Sequence, residues 1–388
     1  MYPNLYYLFE DVFGVKFNGL RLVNSFGFFV AIAFVASGFV LYYELKRKES
    51  LGEFTPTEES ITIGAPASFS ELITSFFFGF IFGYKIIGAF TIPDALNNTQ
   101  AFILSLQGNF GAGILVGAIM TYLKWKEKNK EKLAKPETRK LLLWPHDRVG
   151  DIVLQAALWG FLGAKIFHNL ENIDELMRDP WGSMISFSGL TFYGGLILAT
   201  IAIIIFIRKY NMRVIHFADA MAPTMLFAYA AGRIGCHISG DGDWGIPNIK
   251  PNPYAWLPDW MWSYHYPHNV VNAGVPIPGC VGNYCNQLPE PVYPTTFYEI
   301  IIMFILFLIV WMIRKKITQP GIITGIYFLF AGGERFLIEK IRVNNKYTFL
   351  PFQPTQAELI SIILIILGIV FLLKSKTWFP KNIQQSKI

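Results

Sequence analysis

Apolar residues in this chain come in long uninterrupted blocks, separated by short charged or polar stretches. Asn24 to Tyr43 and Phe102 to Leu123 contain no Asp, Glu, Lys or Arg. About twenty apolar residues span a bilayer core as a helix. The pattern predicts nine such spans, over about 24–45, 71–90, 102–123, 150–170, 186–208, 214–236, 292–313, 321–341 and 355–374. The expected fold is therefore all-α and polytopic.

The connecting loops sort by charge. One alternate set holds Lys46-Arg47-Lys48, the run from Lys124 to Arg148, Arg208-Lys209 with Arg213, Arg314-Lys315-Lys316, and a tail with Lys374, Lys376, Lys381 and Lys387. In the other set, 91–104 has no cation, 171–188 only Arg178 and 237–290 only Lys250. Positive loops stay in the cytoplasm. The N-terminus is expected outside and the C-terminus inside, as nine spans require. The net charge of +6 is then an orientation signal, and no nucleic-acid partner is expected. Composition agrees: 53% of residues are hydrophobic and only 15% charged, against about 25% charged in soluble domains. No short apolar stretch at the start is followed by a small-residue cleavage site, so the first helix is expected to direct targeting.

The chain divides into 1–49 with the first span, 50–149, a core over 150–374 and a basic tail over 375–388. An internal repeat links the second and third segments. Residues 80–87, "FIFGYKII", resemble 160–167, "GFLGAKIF", pairing Gly83 with Gly163 and Lys85 with Lys165. Residues 109–117, "NFGAGILVG", resemble 191–199, "TFYGGLILA". The offsets, 80 and 82, predict that 50–149 carries a duplicated helix pair and a basic loop. Small-residue patterns also recur by chance in membrane helices. Residues 237–291, rich in Pro, Trp, Tyr, Gly and Asn without helical period, predict an irregular extracytoplasmic cap. Cys280 and Cys285 lie there, on the oxidising side, where a disulfide is expected. Cys236 is left over.

Ionisable residues within spans are costly and face a cavity or a partner. Arg233 lies in "GRIG" near the outer end of the sixth span. The eighth holds "GGERFLIEKIR", with Arg335, Glu339 and Arg342 at i, i+4, i+7 on one face. The seventh enters through "YPTTFYE", with Tyr298 and Glu299, and the fifth through "SGLTFYGG", with Tyr193. Four spans thus deliver polar groups to one depth. Guanidinium groups at headgroup level suggest a phosphate clamp. Arg335 with Glu339 also reads as a structural ion pair, and Arg233 as a snorkelling side chain. No acidic residue lies one turn from Arg233 on its own helix, which leaves phosphate as its acceptor and Glu299 as the competitor.

The ordered segments "FYGGLI", "AGRIGCHISGDGDWG", "YPTTFYE", "RFLIEKIR" and "TQAELISIILIILG" resemble the signatures of the prolipoprotein diacylglyceryl transferases. The likeness runs from about 150 to the end, with a weaker one at 24–45. It implies a bacterial cytoplasmic-membrane enzyme that moves diacylglycerol from phosphatidylglycerol to the cysteine thiol of a prolipoprotein signal sequence. It implies a phospholipid and a signal peptide as partners, and no cofactor. Carried over, Arg233 and Arg335 hold the phosphate, Glu339 orients Arg335, and Tyr193 stands where the family has a His or an aromatic hydroxyl donor. Those four are the expected catalytic residues. Arg233, Arg335, Arg342, Tyr298 and Glu299 are the expected lipid-binding set.

This chain departs from the family pattern at several positions. Cys236 stands for an Asn, Ser239 for a second Asn, Asp241 for a Glu, Tyr293 for the His before Pro294, and Phe26 for a Tyr. A second reading follows, that of an altered paralogue binding an anionic phospholipid within a membrane assembly. A transporter built on the repeat is disfavoured, because transporter sites lie at the midplane and these groups lie near one surface. His237, Asp241, Asp243, His265 and His268 cluster in the cap, but their spacing matches no zinc pattern. They read as solvated loop residues, and no metal is expected.

Overall fold

The apolar blocks fold as helices, several of which start at side-chain caps. The computed structural model describes residues 1–93, 95–96, 99–185, 191–344, 347 and 353–380. A short helix, α1 (Leu5–Phe13), precedes α2 (Ser25–Ser50), where the Asn24 side chain accepts from the Gly27 N–H. Helix α3 (Phe69–Thr91) begins at a Ser68/Glu71 capping box and contains one π-helical turn, Gly83–Ile87. Helices α4 (Phe110–Glu131), α5 (Val149–Glu171), α6 (Phe192–Lys209), α7 (Val214–Ser239), α8 (Thr295–Ile313), α9 (Ile322–Glu339) and α10 (Gln356–Trp378) follow. Each cap satisfies backbone N–H groups that a helix start leaves without partners.

Among the described residues, seven helices are long and apolar enough to cross a bilayer: α2, α3, α5, α6, α7, α8 and α10. The other two of the nine expected spans form helices too. Helix α4 runs on into the charged sequence Lys124–Glu131, and α9 carries Glu334, Arg335 and Glu339. The third apolar stretch is broken in two: Thr99–Leu104 is a short helix, and the long helix begins only at Phe110. The carbonyls of Phe102, Ser105 and Gln107 turn to the Lys85 ammonium, and Asn109 caps a new helix through the Ala112 N–H. The expected first residues of the fifth span, 186–190, lie outside the described residues, as do Lys381 and Lys387.

Two features went unread in the sequence. Thr57–Ile63 pairs antiparallel with Glu137–Leu143, a two-stranded ribbon joining the ends of the α3–α4 segment. The cap also holds a short helix, Asp259–Trp262, and a two-residue strand pair. Cys280 and Cys285 form the expected disulfide, with Cα atoms 5.5 Å apart.

Helix α7 is central and packs on α2, α8 and α9. The α5–α6 and α3–α4 pairs are each held by close backbone approach. A Cβ at Gly163 would lie 2.4 Å from the Gly194 carbonyl oxygen and 2.8 Å from Leu198 Cβ. At Gly83 the same atom would meet the Ala112 carbonyl oxygen at 2.5 Å and Val116 Cβ at 2.7 Å. These partners correspond at the offset of 82. So do two loop hydrogen bonds, Asn109 N–H to Tyr84 O at 2.9 Å and Thr191 N–H to Ala164 O at 3.1 Å.

At the end of the bundle opposite the cap, polar groups lock the helices together. Fully buried Glu44 accepts from Arg47 and, at 2.8 Å, from Arg314. Glu53 bridges Lys48 at 2.7 Å and His216 at 2.8 Å. Asp219 of α7 accepts from the backbone N–H groups of Gly321 and Thr324, capping α9 from another helix.

Candidate functional site: an arginine cluster at the cap end

Glu299 is the hub. It sits just past the first turn of α8, five residues after Pro294, and is fully buried. An isolated buried carboxylate is costly and needs cations or donors. Three arginines and a tyrosine supply them. Arg233 of α7 places Nε 3.0 Å from Glu299 Oε2, and Arg335 of α9 donates from Nη1 to Oε1 at 3.3 Å. Arg342, beyond α9, has Nη1 3.5 Å from Oε1, and Tyr229 donates its hydroxyl to Oε1 at 2.9 Å. Arg233 also donates to the Tyr229 oxygen at 3.1 Å. The i, i+4 spacing of Tyr229 and Arg233 permits that contact.

The cap adds a second carboxylate. Asp243 pairs with Arg233 on one oxygen and with Arg342, at 2.5 Å, on the other. Its burial opposes ionisation, but the two guanidinium groups hold its carboxyl below the ordinary Asp value. The neighbouring Asp241 carboxyl is raised, by burial first and then by the charge of Asp243. Backbone contacts fix this stretch: Ile246 donates to the Ile341 carbonyl at 2.8 Å, and Thr295 Oγ1 donates to the Asp243 carbonyl at 2.8 Å. Arg335 and Glu339 pair at 3.0 Å, and Asn344 donates to Glu339 at 2.7 Å.

Arg233, Arg335, Arg342, Glu299 and Glu339 are thus brought together. Tyr193, at the start of α6, lies within electrostatic range of Arg335, Glu339 and Arg342. Tyr298 does not join them. Its hydroxyl points to the cap and donates to the Met261 carbonyl at 2.9 Å, because consecutive residues on a helix face different directions. Glu299, named as the acceptor competing with phosphate for Arg233, does pair with it from another helix. Asp243 adds an acid partner from the irregular cap, which spacing along α7 conceals. Neither Arg233 nor Arg335 is sealed; their side chains keep 15% and 23% of their exposure.

The cap histidines do not converge. His237 contacts Thr296 Oγ1, His265 the Leu288 carbonyl and His268 the Tyr284 carbonyl. Cys236, Asp241 and Asp243 bring one thiol and two carboxylates within 4.8 Å of one another. Asp243 is spent on two guanidinium groups, so the group belongs to the ion network. Asp243 was expected as a solvated loop residue and is instead a bridge between Arg233 and Arg342. Glu334 of α9, unremarked beside Arg335, is buried with Oε1 lacking a hydrogen-bond partner.

The fold and this cluster define a many-helix membrane protein with a cationic polar site at one end of the bundle. A model of the prolipoprotein diacylglyceryl transferase family matches residues 101–374, and the chain belongs to that family. The match begins within the segment read as an insertion. Among its relatives is a phosphatidylglycerol–prolipoprotein diacylglyceryl transferase of Leptospira interrogans, 27% identical over 310 residues, covering 68% of this chain and 86% of that protein. Enzymes of the same name from Aeromonas hydrophila and Ruegeria pomeroyi are 28% and 26% identical. They cover 63% of this chain each, and 81% and 85% of their own lengths.

Proposed function

We propose that this chain transfers diacylglycerol from phosphatidylglycerol to the cysteine thiol of prolipoproteins. The observation that carries the reading is the meeting of Arg233, Arg335 and Arg342, from separate segments, on Glu299 beside the cap. Family membership supports it, and the paralogue reading is not favoured. The thiolate attacks the terminal glyceryl carbon, a C–S bond forms, the C–O bond breaks, and glycerol phosphate leaves with the electron pair. The thiolate is the reactive form of a cysteine. Preorganised cations stabilise charge developing on the departing phosphate. In this reading Arg233 and Arg335 take the phosphate, Arg342 sets the local field, Glu339 orients Arg335, and Tyr193 stands near them as an aromatic hydroxyl donor. Phosphate oxygens replace carboxylate oxygens on the arginines, which bind both bidentately. Tyr298 serves the cap.

We place the enzyme in a bacterial cytoplasmic membrane, with the N-terminus and cap outside and the C-terminus inside. The alternation of basic loops supports this orientation. We read 69–131 as a duplicate of the α5–α6 pair, inserted between α2 and α5. The matched close contacts at Gly83 and Gly163 support that reading.

The test is transfer from labelled phosphatidylglycerol to a synthetic signal peptide with a single cysteine, in vesicles containing the purified protein. Lipidated peptide is expected with the wild type. None is expected with Arg233→Ala or with a Cys→Ser peptide. An inactive wild type that still binds phosphatidylglycerol would favour the lipid-binding reading.

A further inference from the structure

The reaction needs somewhere for the thiol proton to go. The carboxylates around the arginine cluster differ in their availability. Glu299 carries three guanidinium groups and the Tyr229 hydroxyl, Asp243 carries two guanidinium groups, and Glu339 holds Arg335 and Asn344. Each is thereby already engaged by cationic or hydrogen-bonding partners. Glu334 differs. It is 5% exposed. Glu299 Oε2 and Glu339 Oε2 also lack a hydrogen bond but each is ion-paired with an arginine, whereas the buried Glu334 Oε1 has neither. Among the described residues it forms no ion pair, although Arg335 follows it directly.

Its surroundings belong to the site. The charged groups that act on it are Glu299 of α8, Arg335 on its own helix, Arg233 of α7 and Arg342 beyond α9, and Tyr229 of α7 lies within the same range. The helix packed on the other side of α9 meets it through the Ser361 backbone, 2.8 Å from a Cβ placed at Gly332. A buried polar atom without a partner costs free energy comparable to a lost hydrogen bond. It is the position where an entering donor gains most. A thiol is a weak donor suited to such an acceptor.

We propose that Glu334 accepts the thiol proton in the transfer reaction, a role that rests on the transferase reading above. The S–H proton passes to a Glu334 carboxylate oxygen as the C–S bond forms. The C–O bond electrons leave with glycerol phosphate, and the proton then passes from Glu334 to that phosphate. Atoms and charge balance without a further reactant. The neighbouring guanidinium groups stabilise the carboxylate before transfer and the phosphate after it.

The test compares wild type, Glu334→Gln and Glu334→Asp in the vesicle assay across pH 6 to about pH 9, with cysteine and selenocysteine peptides. General-base removal typically costs about 10²- to 10⁴-fold, so Glu334→Gln should lower kcat at pH 7 by about 10²-fold with KM for phosphatidylglycerol little changed. The defect should shrink as pH approaches the free thiol value near 8.5, where the peptide ionises unaided. The selenocysteine peptide, already ionised at neutral pH, should restore most of the rate, and Glu334→Asp part of it. A loss equal at every pH and for both peptides would overturn the proposal, as would an undiminished rate. If Glu334→Gln fails to accumulate in membranes, the wild type still decides. A wild-type rate with the thiol peptide that levels off well below pH 8.5 supports the proposal, and one that climbs with free-thiol ionisation up to about pH 8.5 refutes it. No transfer by wild type under any condition would instead overturn the transferase reading.

Discussion

Arg233 and Arg335, from helices α7 and α9, sit on the two oxygens of one carboxylate: Arg233 Nε lies 3.0 Å from Glu299 Oε2, and Arg335 Nη1 lies 3.3 Å from Oε1. Two cations are thereby held side by side without repelling one another apart. Replacing Arg233 by Ala should lower transfer by about 10²- to 10³-fold, as expected for loss of one preorganised donor. Arg233→Lys should recover little, because an ammonium does not reproduce bidentate geometry. Initial rates in the vesicle assay check both.

Glu299 is the member whose loss should harm the fold most. Glu299→Ala leaves three arginines facing one another in a buried space. Breaking a buried ion pair costs about 3–5 kcal/mol, and a comparable destabilisation is expected in detergent-solubilised thermal melts. Arg233→Ala should melt closer to wild type, since Arg335 and Arg342 still neutralise Glu299.

Asp219 should matter to stability and not to transfer chemistry. Its carboxylate caps α9 through the Gly321 and Thr324 N–H groups at 2.8 and 2.9 Å and accepts from Thr324 Oγ1 at 2.7 Å. Losing a capping side chain costs about 0.5–2 kcal/mol. Asp219→Ala should lower the melting temperature while KM for phosphatidylglycerol stays unchanged.

Glu53 sets an acid dependence of stability. Burial raises its carboxyl, but His216 and Lys48 outweigh burial and bring it down from 4.5 to about 2. The folded value lies below the unfolded one, so this stabilisation is fully present above pH 4.5 and is lost as pH falls towards 2. The difference in melting temperature between wild type and Glu53→Gln should therefore be constant above pH 5 and narrow below it.

The disulfide gives a thiol count. The chain has three cysteines, and Cys280 is bonded to Cys285. Denatured, unreduced protein should take up one equivalent of maleimide, at Cys236, and three after reduction.

Much of this arrangement was legible from residue order. Apolar runs located the helices, and the i, i+4 spacing of Arg335 and Glu339 placed those two on one face. Arg342 reaches the cluster from beyond the helix, which ends at Glu339 and so does not carry the expected i+7 position. Four things stayed hidden, each for a physical reason. Asp243 reaches Arg233 from a loop without periodicity, so no pattern announces the contact. Tyr298 and Glu299 are adjacent in sequence, yet helical rotation sends one to the cap and the other to the arginines. Glu334 is conspicuous only by lacking a partner, which no sequence displays. The ribbon of Thr57–Ile63 with Glu137–Leu143 escaped because its strands lie far apart in sequence and are exposed over most of their length.

Arg233, Arg335 and Arg342 face Glu299, Asp243 and Glu339, so these ion-paired groups carry no net charge before any lipid arrives. Such a site exerts little pull at a distance and acts by exchange at contact. Its selectivity should therefore vary weakly with ionic strength, and soluble phosphate should compete poorly for it. The same self-neutrality eases the departure of glycerol phosphate, since the carboxylates are ready to reclaim their arginines and the catalyst resets itself for the next turnover.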